Sequence, residues 1–220
     1  MKIFDKIYCI NLDSRPDRWE ECLVEFNKIG IQDQVERVSA FKGPFGIDGC
    51  TRSHLECIRL AKDNNCENVL ILEDDISFTS DIFIDTLHNA INQLNDNKLD
   101  CDILYFSANL YGNGNSLIDN NLAKISSAKA AHAYVVSSSV FDIILNAFKD
   151  IDWNDPYNWN PSNPNRMNMD TWYKNIQQLG NTYGTYPSLA EQRPSHSDLL
   201  NKHVAYNLST VYNEILEKTK

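Results

Sequence analysis

Positive charge is scarce in this chain of 220 residues, which has 20 lysines and arginines against 30 acidic residues and a formal net charge of -10 at pH 7. Proteins that bind nucleic acid or an anionic membrane usually carry the opposite excess, so both kinds of partner are disfavoured. The sequence also lacks an apolar run long enough to span a bilayer, and residues 1–6 (MKIFDK) contain no apolar signal segment. We therefore expect a soluble, cytoplasmic protein.

Several motifs of common enzyme and metal sites are missing too. The six cysteines include no C-x-x-C pair and most lie in apolar patterns, which favours core thiols over a disulfide framework or a zinc site. The chain has no G-x-G-x-x-G, no P-loop and no G-x-S-x-G, and its five histidines are scattered. A dinucleotide fold of the usual kind, a P-loop enzyme and a metalloprotease helix are therefore disfavoured.

Hydrophobic periodicity predicts alternating strands and helices through the first half of the chain. This β-α-β-α-β-α-β pattern is typical of an α/β fold with a mostly parallel central sheet and helices on both faces. The predicted strands cover 6–12, 35–39, 69–72 and 102–106, and the helices between them begin near Ser14, Thr51 and Ser80. In the second half we predict a surface loop over 109–121, strands over 132–137 and 182–186, and helices over 140–148 and 170–179.

Three consecutive carboxylates, Glu73, Asp74 and Asp75, follow the aliphatic strand 69–72 directly. Ligands of open α/β sheets bind at this carboxyl end of the strands. Like charges at such a point need a cation or a row of hydrogen-bond donors, and clustered oxygen ligands suit Mg²⁺ or Mn²⁺. The alternative is a strand that simply continues into a solvated acidic loop.

Residues 10–18 (INLDSRPDR) resemble the opening I-N-L-x-x-R-x-D-R of glycosyltransferase family 25, which includes lipopolysaccharide sugar transferases and collagen hydroxylysine galactosyltransferases. Four further resemblances follow in order: GCTRSH at 49–54, LEDD at 72–75, HAYVVS at 132–137, and Gln192 with Ser197-Asp198. The resemblance implies a GT-A-like fold, a nucleotide-diphosphate-sugar donor and an inverting reaction. It also implies one domain over 1–220, with a nucleotide-sugar-binding half (1–107) and an acceptor half with a C-terminal tail (108–220).

The resemblance implies a metal site for Mn²⁺ or Mg²⁺ at the strand-end acids. Alternation along an extended strand places Glu73 and Asp75 on one face, so we expect Asp75 to bind the ion directly and Glu73 to assist. Asp74 would bind the donor's ribose or a neighbouring protein group. His196 is the candidate for the last protein ligand, although it could equally be a surface residue of the tail.

Donor binding is assigned to the end of the first strand and to the second helix. Asn11 and Arg15 would hold the base and the phosphates, although a strand-end amide and a solvated cation are the plain alternatives. Arg18 is a weaker candidate because it could pair with Asp17 or Glu21. Ser53 and His54 belong to the GCTRSH match, and we expect His54 on the first turn of its helix, where anions bind; a buried core histidine is equally plausible.

An inverting transfer also needs a base for the proton of the acceptor hydroxyl. Asp170 is the first candidate and Asp198 the second; a plain N-cap is the alternative for Asp170. Together these features predict transfer of galactose or glucose from a UDP-sugar to a hydroxyl group of a glycan or hydroxylysine. A catalytically silent sugar-nucleotide-binding module, a nucleotidyltransferase and a hydrolase stay open, and the sequence specifies neither the donor sugar, the acceptor, the linkage nor the oligomeric state.

Overall fold

The computed structural model describes residues 4–43, 46–153, 168–197, 202–205 and 207–219. The helices are α1 (Pro16–Lys28), α2 (Gly46–Asp63), α3 (Phe83–Asp96), α4 (Phe141–Phe148), α5 (Met169–Trp172), α6 (Lys174–Gln177) and α7 (Leu208–Glu217). The strands are β1 (Lys6–Asn11), β2 (Val35–Ser39), β3 (Asn68–Glu73), β4 (Ile76–Phe78), β5 (Ile103–Tyr105), β6 (Asn109–Leu110), β7 (Ser116–Asp119), β8 (Leu122–Lys124), β9 (Ala128–Lys129), β10 (Ala133–Ser137), β11 (Thr182–Thr185), β12 (Ala190–Gln192), β13 (Ser195–Ser197) and β14 (Lys202–Val204).

A large mixed sheet forms the centre of the fold, with strand order β2-β1-β3-β10-β5-β11-β8-β7. Strands β1, β2, β3, β5, β7 and β11 run in one direction, and only β8 and β10 run in the other. This confirms the predicted α/β class and its mostly parallel sheet. The insertion of β10 between β3 and β5, antiparallel to both, is the departure from a simple doubly wound order.

The central strands are apolar on both faces because helices cover both sides of the sheet. In β3, Val69 and Ile71 pack into one hydrophobic cluster and Leu70 and Leu72 into the other. Helices α2, α4, α6 and α7 contribute to the first cluster, and α1 and α3 to the second. The prediction of a strand buried on both faces is therefore confirmed, and its carboxyl end is where the acidic residues emerge.

Three helix starts differ from the predictions, and the third helix begins at Phe83 rather than Ser80, after a 3-10 turn over Ser80–Ile82. The first helix begins at Pro16 with Arg15 in the capping position, so Ser14 is not its N-cap. The second begins at Gly46 rather than Thr51. Its first turn packs closely against the backbone of Phe41, and only glycine fits at position 49, because a Cβ there would lie 2.3 Å from the Phe41 carbonyl oxygen. Thr51 instead accepts a hydrogen bond from the Met169 amide at 3.3 Å, which ties the start of α5 to α2.

The predicted surface loop over 109–121 is wrong, since this segment contains β6 and β7. Its Asn115 is buried, and the Oδ1 atom accepts hydrogen bonds from the Ser126 and Ser127 amides at 2.9 and 3.1 Å. Side-chain amides can replace ladder bonds in this way, so a segment rich in glycine and asparagine still pairs with its neighbours. The predicted helix over 170–179 is likewise two short helices, α5 and α6.

All six cysteines are unpaired thiols, as their spacing predicted, and Cys9, Cys22, Cys57 and Cys66 are buried. Within the described part of the chain, none of the helices has the length and apolar character needed to cross a membrane.

Candidate active site

The three strand-end acids lie where β3 leaves the sheet, between β1 and β10. The Glu73 amide donates to the His132 carbonyl at 2.9 Å, which continues the β3–β10 ladder by one residue. After Glu73 the chain turns through Asp74 and Asp75 and enters β4. The three carboxylates then meet three different sets of partners.

Asp74 is the most buried of the three and is held by protein groups. Its carboxylate accepts hydrogen bonds from Arg18 Nη1 at 2.5 Å and from Asn11 Nδ2 at 2.7 Å. Asn11 Oδ1 in turn accepts from Arg37 Nε at 2.8 Å. The structure therefore brings together Asn11, Arg18 and Asp74, all predicted from sequence to bind the donor, in one network of internal contacts. Arg18 pairs with Asp74 rather than with either acid near it in the helix.

Arg193, in the C-terminal part of the chain, binds the backbone of the acidic turn through two hydrogen bonds. Arg193 Nη2 donates to the Asp74 carbonyl, and the Arg193 amide donates to the Asp75 carbonyl, both at 2.7 Å. The same guanidinium lies 3.1 Å from Glu21 on α1. Sequence reasoning missed Arg193, although it follows Gln192, whose Nε2 lies 3.4 Å from both carboxylate oxygens of Asp75. The strand that carries this segment, β12, pairs with β4 just after the turn.

Glu73 faces α2 and is half-buried. Its Oε1 atom lies 3.1 Å from His54 Nε2 and 3.9 Å from Cys50 Sγ. Burial raises the pKa of Glu73 to about 8, and the charges of Asp170 and Asp74 add to this. Burial also raises the pKa of Asp75 to about 7, with the charge of Glu73 as the next cause. Carboxylates that are buried close to one another in this way favour a cation beside them.

His54 is almost completely buried and lies beyond the first two turns of α2, because the helix begins at Gly46. The expectation that it lies at the helix N-terminus is therefore wrong. Its Nδ1 atom lies 3.0 Å from the Tyr134 hydroxyl, which lies 2.8 Å from the Tyr173 hydroxyl. Burial lowers the pKa of His54 to about 4, so the ring is neutral at physiological pH. It is held in place between Glu73 and the two tyrosines.

Asp170 occupies the second position of α5, close enough to Glu73 for its charge to raise the pKa of that carboxyl. The N-cap of this helix is Asn168, whose side chain accepts from the Thr171 amide at 2.9 Å, so Asp170 is not the cap. Asp170 Oδ1 instead accepts from the Ala131 amide at 3.0 Å, in the segment that leads into β10. The adjacent Ala130 has a φ of 68°, a left-handed conformation that is uncommon for a residue other than glycine. This tight segment presents the Ala131 N–H to the carboxylate.

Of the remaining predicted residues, Arg15 lies beside Asn11, Ser53 lies within α2, and the side chains of His196 and Asp198 are outside the described parts of the structure. Arg15 binds the exposed Asp17 through Nη2 at 2.8 Å, and its carbonyl accepts from Asn11 Nδ2 at 3.0 Å. Ser53 is buried; its hydroxyl donates to the Gly49 carbonyl at 2.6 Å and accepts from the Phe41 amide at 2.9 Å. The backbone of His196 is in β13, but its side chain lies outside the described parts of the structure, as does the whole of Asp198.

His132 is a further polar residue at the site that sequence reasoning did not single out. Its ring is 1% exposed, and within the described part of the chain neither ring nitrogen has a hydrogen-bond partner. Burial lowers its pKa to about 4. The segment HAYVVS contained both His132 and Tyr134, but a resemblance of a whole strand does not indicate which of its side chains lie near the acids.

Comparisons with known proteins give one family and several distant structures. Residues 45–155 match the model of glycosyltransferase family 25, described as an LPS biosynthesis protein. No match was found among curated proteins. Similar solved structures include A197 from STIV, with 12% identity, 91% of this chain and 93% of that chain covered, and a TM-score of 0.48.

The descriptions of two other similar structures mention a sugar nucleotide or protein glycosylation. A UDP-glucose pyrophosphorylase complexed with UDP-glucose has 10% identity, 96% and 79% coverage of this chain and that chain, and a TM-score of 0.46. A glycosyltransferase involved in glycosylation of the major capsid of PBCV-1 has 12% identity, 82% and 92% coverage, and a TM-score of 0.41.

The family match includes α2, β3 and β10, and with them Cys50, His54, the acidic turn and Tyr134. It extends over more than half of the 220 residues. On that match, this chain belongs to glycosyltransferase family 25 and is a glycosyltransferase.

Proposed function

We propose that this chain transfers a hexose, galactose or glucose, from a UDP-sugar to an acceptor hydroxyl, with inversion and with Mn²⁺ or Mg²⁺ as cofactor. The description of the family as LPS biosynthesis proteins favours a glycan acceptor over hydroxylysine. In this proposal residues 1–107 supply most of the donor site, and 108–220 supply the base and the acceptor side of a single domain.

The observation that carries the proposal is the proximity of three carboxylates, since the charge of Asp170 raises the pKa of Glu73 and the charge of Glu73 raises the pKa of Asp75. Arg18, the cation that lowers the pKa of both Glu73 and Asp75, is already paired with Asp74 at 2.5 Å. Carboxylate oxygens suit Mn²⁺ and Mg²⁺, so the acidic donor set fits such an ion. Asp75 and Glu73 would hold it, with His196 as the predicted additional ligand. Held by these residues, a divalent cation would supply positive charge to offset the negative charge of the leaving diphosphate.

The side chains of the chain itself then have separate tasks. Asp170 takes the proton from the acceptor hydroxyl, and its hydrogen bond with Ala131 fixes the orientation of the carboxylate. Asn11 and Arg18 hold Asp74, so that the turn between β3 and β4 keeps one conformation. Arg15, at the same end of β1, is the proposed contact for the donor's phosphates.

Product analysis with the purified chain tests this function. UDP-galactose or UDP-glucose is incubated with an oligosaccharide or hydroxylysine peptide acceptor in Mn²⁺ or in EDTA, and the products are identified by mass spectrometry. We expect a glycosylated acceptor and UDP in Mn²⁺, none in EDTA, and none with Asp75→Asn. The exposed Asp142, which pairs with Lys62 on the surface, provides the matched control Asp142→Asn.

Other products would contradict the proposal and identify the alternative. Free hexose without a glycosylated acceptor would indicate a hydrolase. Pyrophosphate release from UTP and hexose 1-phosphate would indicate a nucleotidyltransferase. Binding of UDP-sugars without turnover would indicate a catalytically silent binding module. Equal UDP affinity in Mn²⁺ and in EDTA would show that donor binding does not depend on a metal ion.

A further inference from the structure

Cys50, His54 and Glu73 bring a thiol, an imidazole and a carboxylate together. Their donor atoms all lie within 4.8 Å of one another, and they form the one such group found among the residues that the structure describes. Cys50 and His54 are four residues apart on α2 and therefore share a face of the helix. Glu73 comes from the carboxyl end of β3, so the group consists of two residues from a helix and one from a central strand.

The spacing of the donor atoms is close to that of a tetrahedral metal site. Donors about 2.1 Å from a zinc ion at tetrahedral angles are separated by about 3.5 Å. Glu73 Oε1 lies 3.1 Å from His54 Nε2 and 3.9 Å from Cys50 Sγ, on either side of that value. All three donor atoms lie within 4.8 Å of one another, a spacing that a shared ion can bridge once it is bound.

The residues around the group are also arranged as they are around metal ligands in other proteins. A ligating histidine usually bonds through its second ring nitrogen to a neighbouring acceptor, which fixes the ring. His54 Nδ1 lies 3.0 Å from the Tyr134 hydroxyl, which the Tyr173 hydroxyl holds in turn at 2.8 Å. Cys50 and Glu73 are half-buried rather than fully enclosed, so an ion can reach them from solvent.

We propose that Cys50, His54 and Glu73 form a binding site for a thiophilic divalent cation of the Zn²⁺ class, with one coordination position open. Thiolate ligands select Zn²⁺ over Mg²⁺ and Mn²⁺, whose sites are built from oxygen. The Glu73 carboxylate lies 3.9 Å from the thiol sulfur, and its negative charge favours a cation there. The sequence argued against zinc because it has no C-x-x-C pair and most cysteines lie in apolar patterns. A site with a single cysteine, whose third ligand comes from a distant strand, does not need such a pair.

This site goes beyond the proposed function but shares Glu73 with it. An ion bound to Cys50, His54 and Glu73 removes Glu73 from the Mn²⁺ or Mg²⁺ site. Zn²⁺ is therefore expected to compete with Mn²⁺ and to inhibit transfer. Binding of the thiophilic ion can be measured without any sugar donor, so a failure of the proposed function leaves this test unaffected.

Cobalt spectroscopy of the metal-free chain, in a non-thiol reductant, tests the site directly. Co²⁺ bound to a thiolate gives a sulfur-to-cobalt charge-transfer band in the near ultraviolet, and added Zn²⁺ should abolish this band. We expect the band in the wild-type chain and in Cys101→Ser, whose cysteine is the other half-buried thiol. It should disappear in Cys50→Ser and Cys50→Ala. Tyr134→Phe should retain the band but bind Zn²⁺ about 10- to 100-fold more weakly.

The spectrum of the wild-type chain tests for the thiolate site even if the variants fold poorly. Absence of the charge-transfer band in the wild-type chain would overturn the proposal, as would a band that persists in folded Cys50→Ser. Circular dichroism establishes whether each variant is folded before its spectrum is compared.

Discussion

Arg18 Nη1 donates a hydrogen bond to Asp74 Oδ1 at 2.5 Å, with 11% and 9% of the two side chains exposed. The pair links the first turn of α1 to the turn that follows β3. Because Asn11 Nδ2 donates to the other carboxylate oxygen at 2.7 Å, both oxygens of Asp74 have protein partners. The middle acid of the three is thereby part of the structural framework of the turn.

The first prediction concerns the stability contributed by this pair. Arg18→Met should lower the free energy of unfolding by about 3 to 5 kcal/mol, because it leaves a buried carboxylate without its cation. The double variant Arg18→Met/Asp74→Leu should recover much of that loss, since it removes both charges. Urea unfolding at neutral pH measures both changes.

A matched control is the surface pair formed by Arg59 and Asp63 on α2. Arg59→Met should leave the urea midpoint within experimental error, because exposed ion pairs contribute little. If Arg18→Met were no more destabilising than Arg59→Met, the buried pair would not be a structural element of the site.

Local sequence signals explain what could be predicted of this site, and distance along the chain explains what could not. The aliphatic run 69–72 and the acids after it indicated a strand end, and the structure confirms that strand. The protein partners of Asp74 are 56 and 63 residues away along the chain. For that reason, the only ion-pair partners that the sequence suggested for Arg18 were the acids near it in the helix. Arg193, 119 residues from Asp74, gave no local signal at all.

The same limit applies to the fold. Periodicity found β1, β2 and β5 and most helices, because those patterns are local. The position of β10 between β3 and β5 depends on a pairing that no local pattern encodes. For 109–121, composition suggested a loop, yet pairing of β7 with β8 and the internal bonds of Asn115 overrode that preference.

The second prediction is a fall in stability of the metal-free protein as pH rises from about 6.5 to 8. In the unfolded chain Glu73 ionises near 4.5, whereas in the folded chain its pKa is about 8. Between these values the folded state keeps a proton that the unfolded state has lost, so rising pH favours unfolding. Asp75, with a pKa of about 7, adds to the lower part of this range.

Below about pH 6.5, two buried histidines act in the opposite direction. The pKa of His54 and of His132 is lowered to about 4, so the unfolded state binds more protons there and stability rises with pH. The clear test is therefore urea unfolding in EDTA between pH 6.5 and 8. Glu73→Gln should flatten the slope, Glu20→Gln on the surface should not, and Mn²⁺ should reverse it. A slope unchanged in Glu73→Gln would contradict the assignment.

The third prediction concerns the clamp that Arg193 makes on the acidic turn. Arg193→Ala removes a charged hydrogen bond to the Asp74 carbonyl, which should cost about 1.5 to 3 kcal/mol of unfolding free energy. Amide hydrogen exchange should also accelerate across β4, because the bond fixes the turn that precedes this strand. The comparison variant is Glu21→Ala, which leaves the bond from Arg193 to Asp74 in place and should cost less than about 1 kcal/mol. Equal effects of the two variants would mean that Arg193 acts only through its surface ion pair.

The last prediction tests Asp170 as the general base. Asp170→Asn keeps an oxygen that can accept the Ala131 amide, so the fold should be retained, but it cannot take up a proton from the acceptor. Positioned acid–base groups contribute about 10²- to 10⁴-fold to a rate, and kcat should fall by that factor while UDP affinity in Mn²⁺ and the Tm stay nearly constant. Initial rates at saturating donor and acceptor, calorimetry with UDP, and thermal unfolding provide the three measurements, with Asp142→Asn as the surface control.

Asp170→Ala separates the chemical role from a purely structural one. This variant also loses the hydrogen bond to Ala131, so it should lower the Tm as well as kcat, whereas Asp170→Asn should lower kcat alone. If Asp170→Asn retains normal turnover, Asp170 is not the base, and Asp198 becomes the residue to test. If both variants lose Tm and kcat in parallel, Asp170 acts by positioning the segment before β10, because a base and a structural acceptor differ in whether an amide oxygen can replace them.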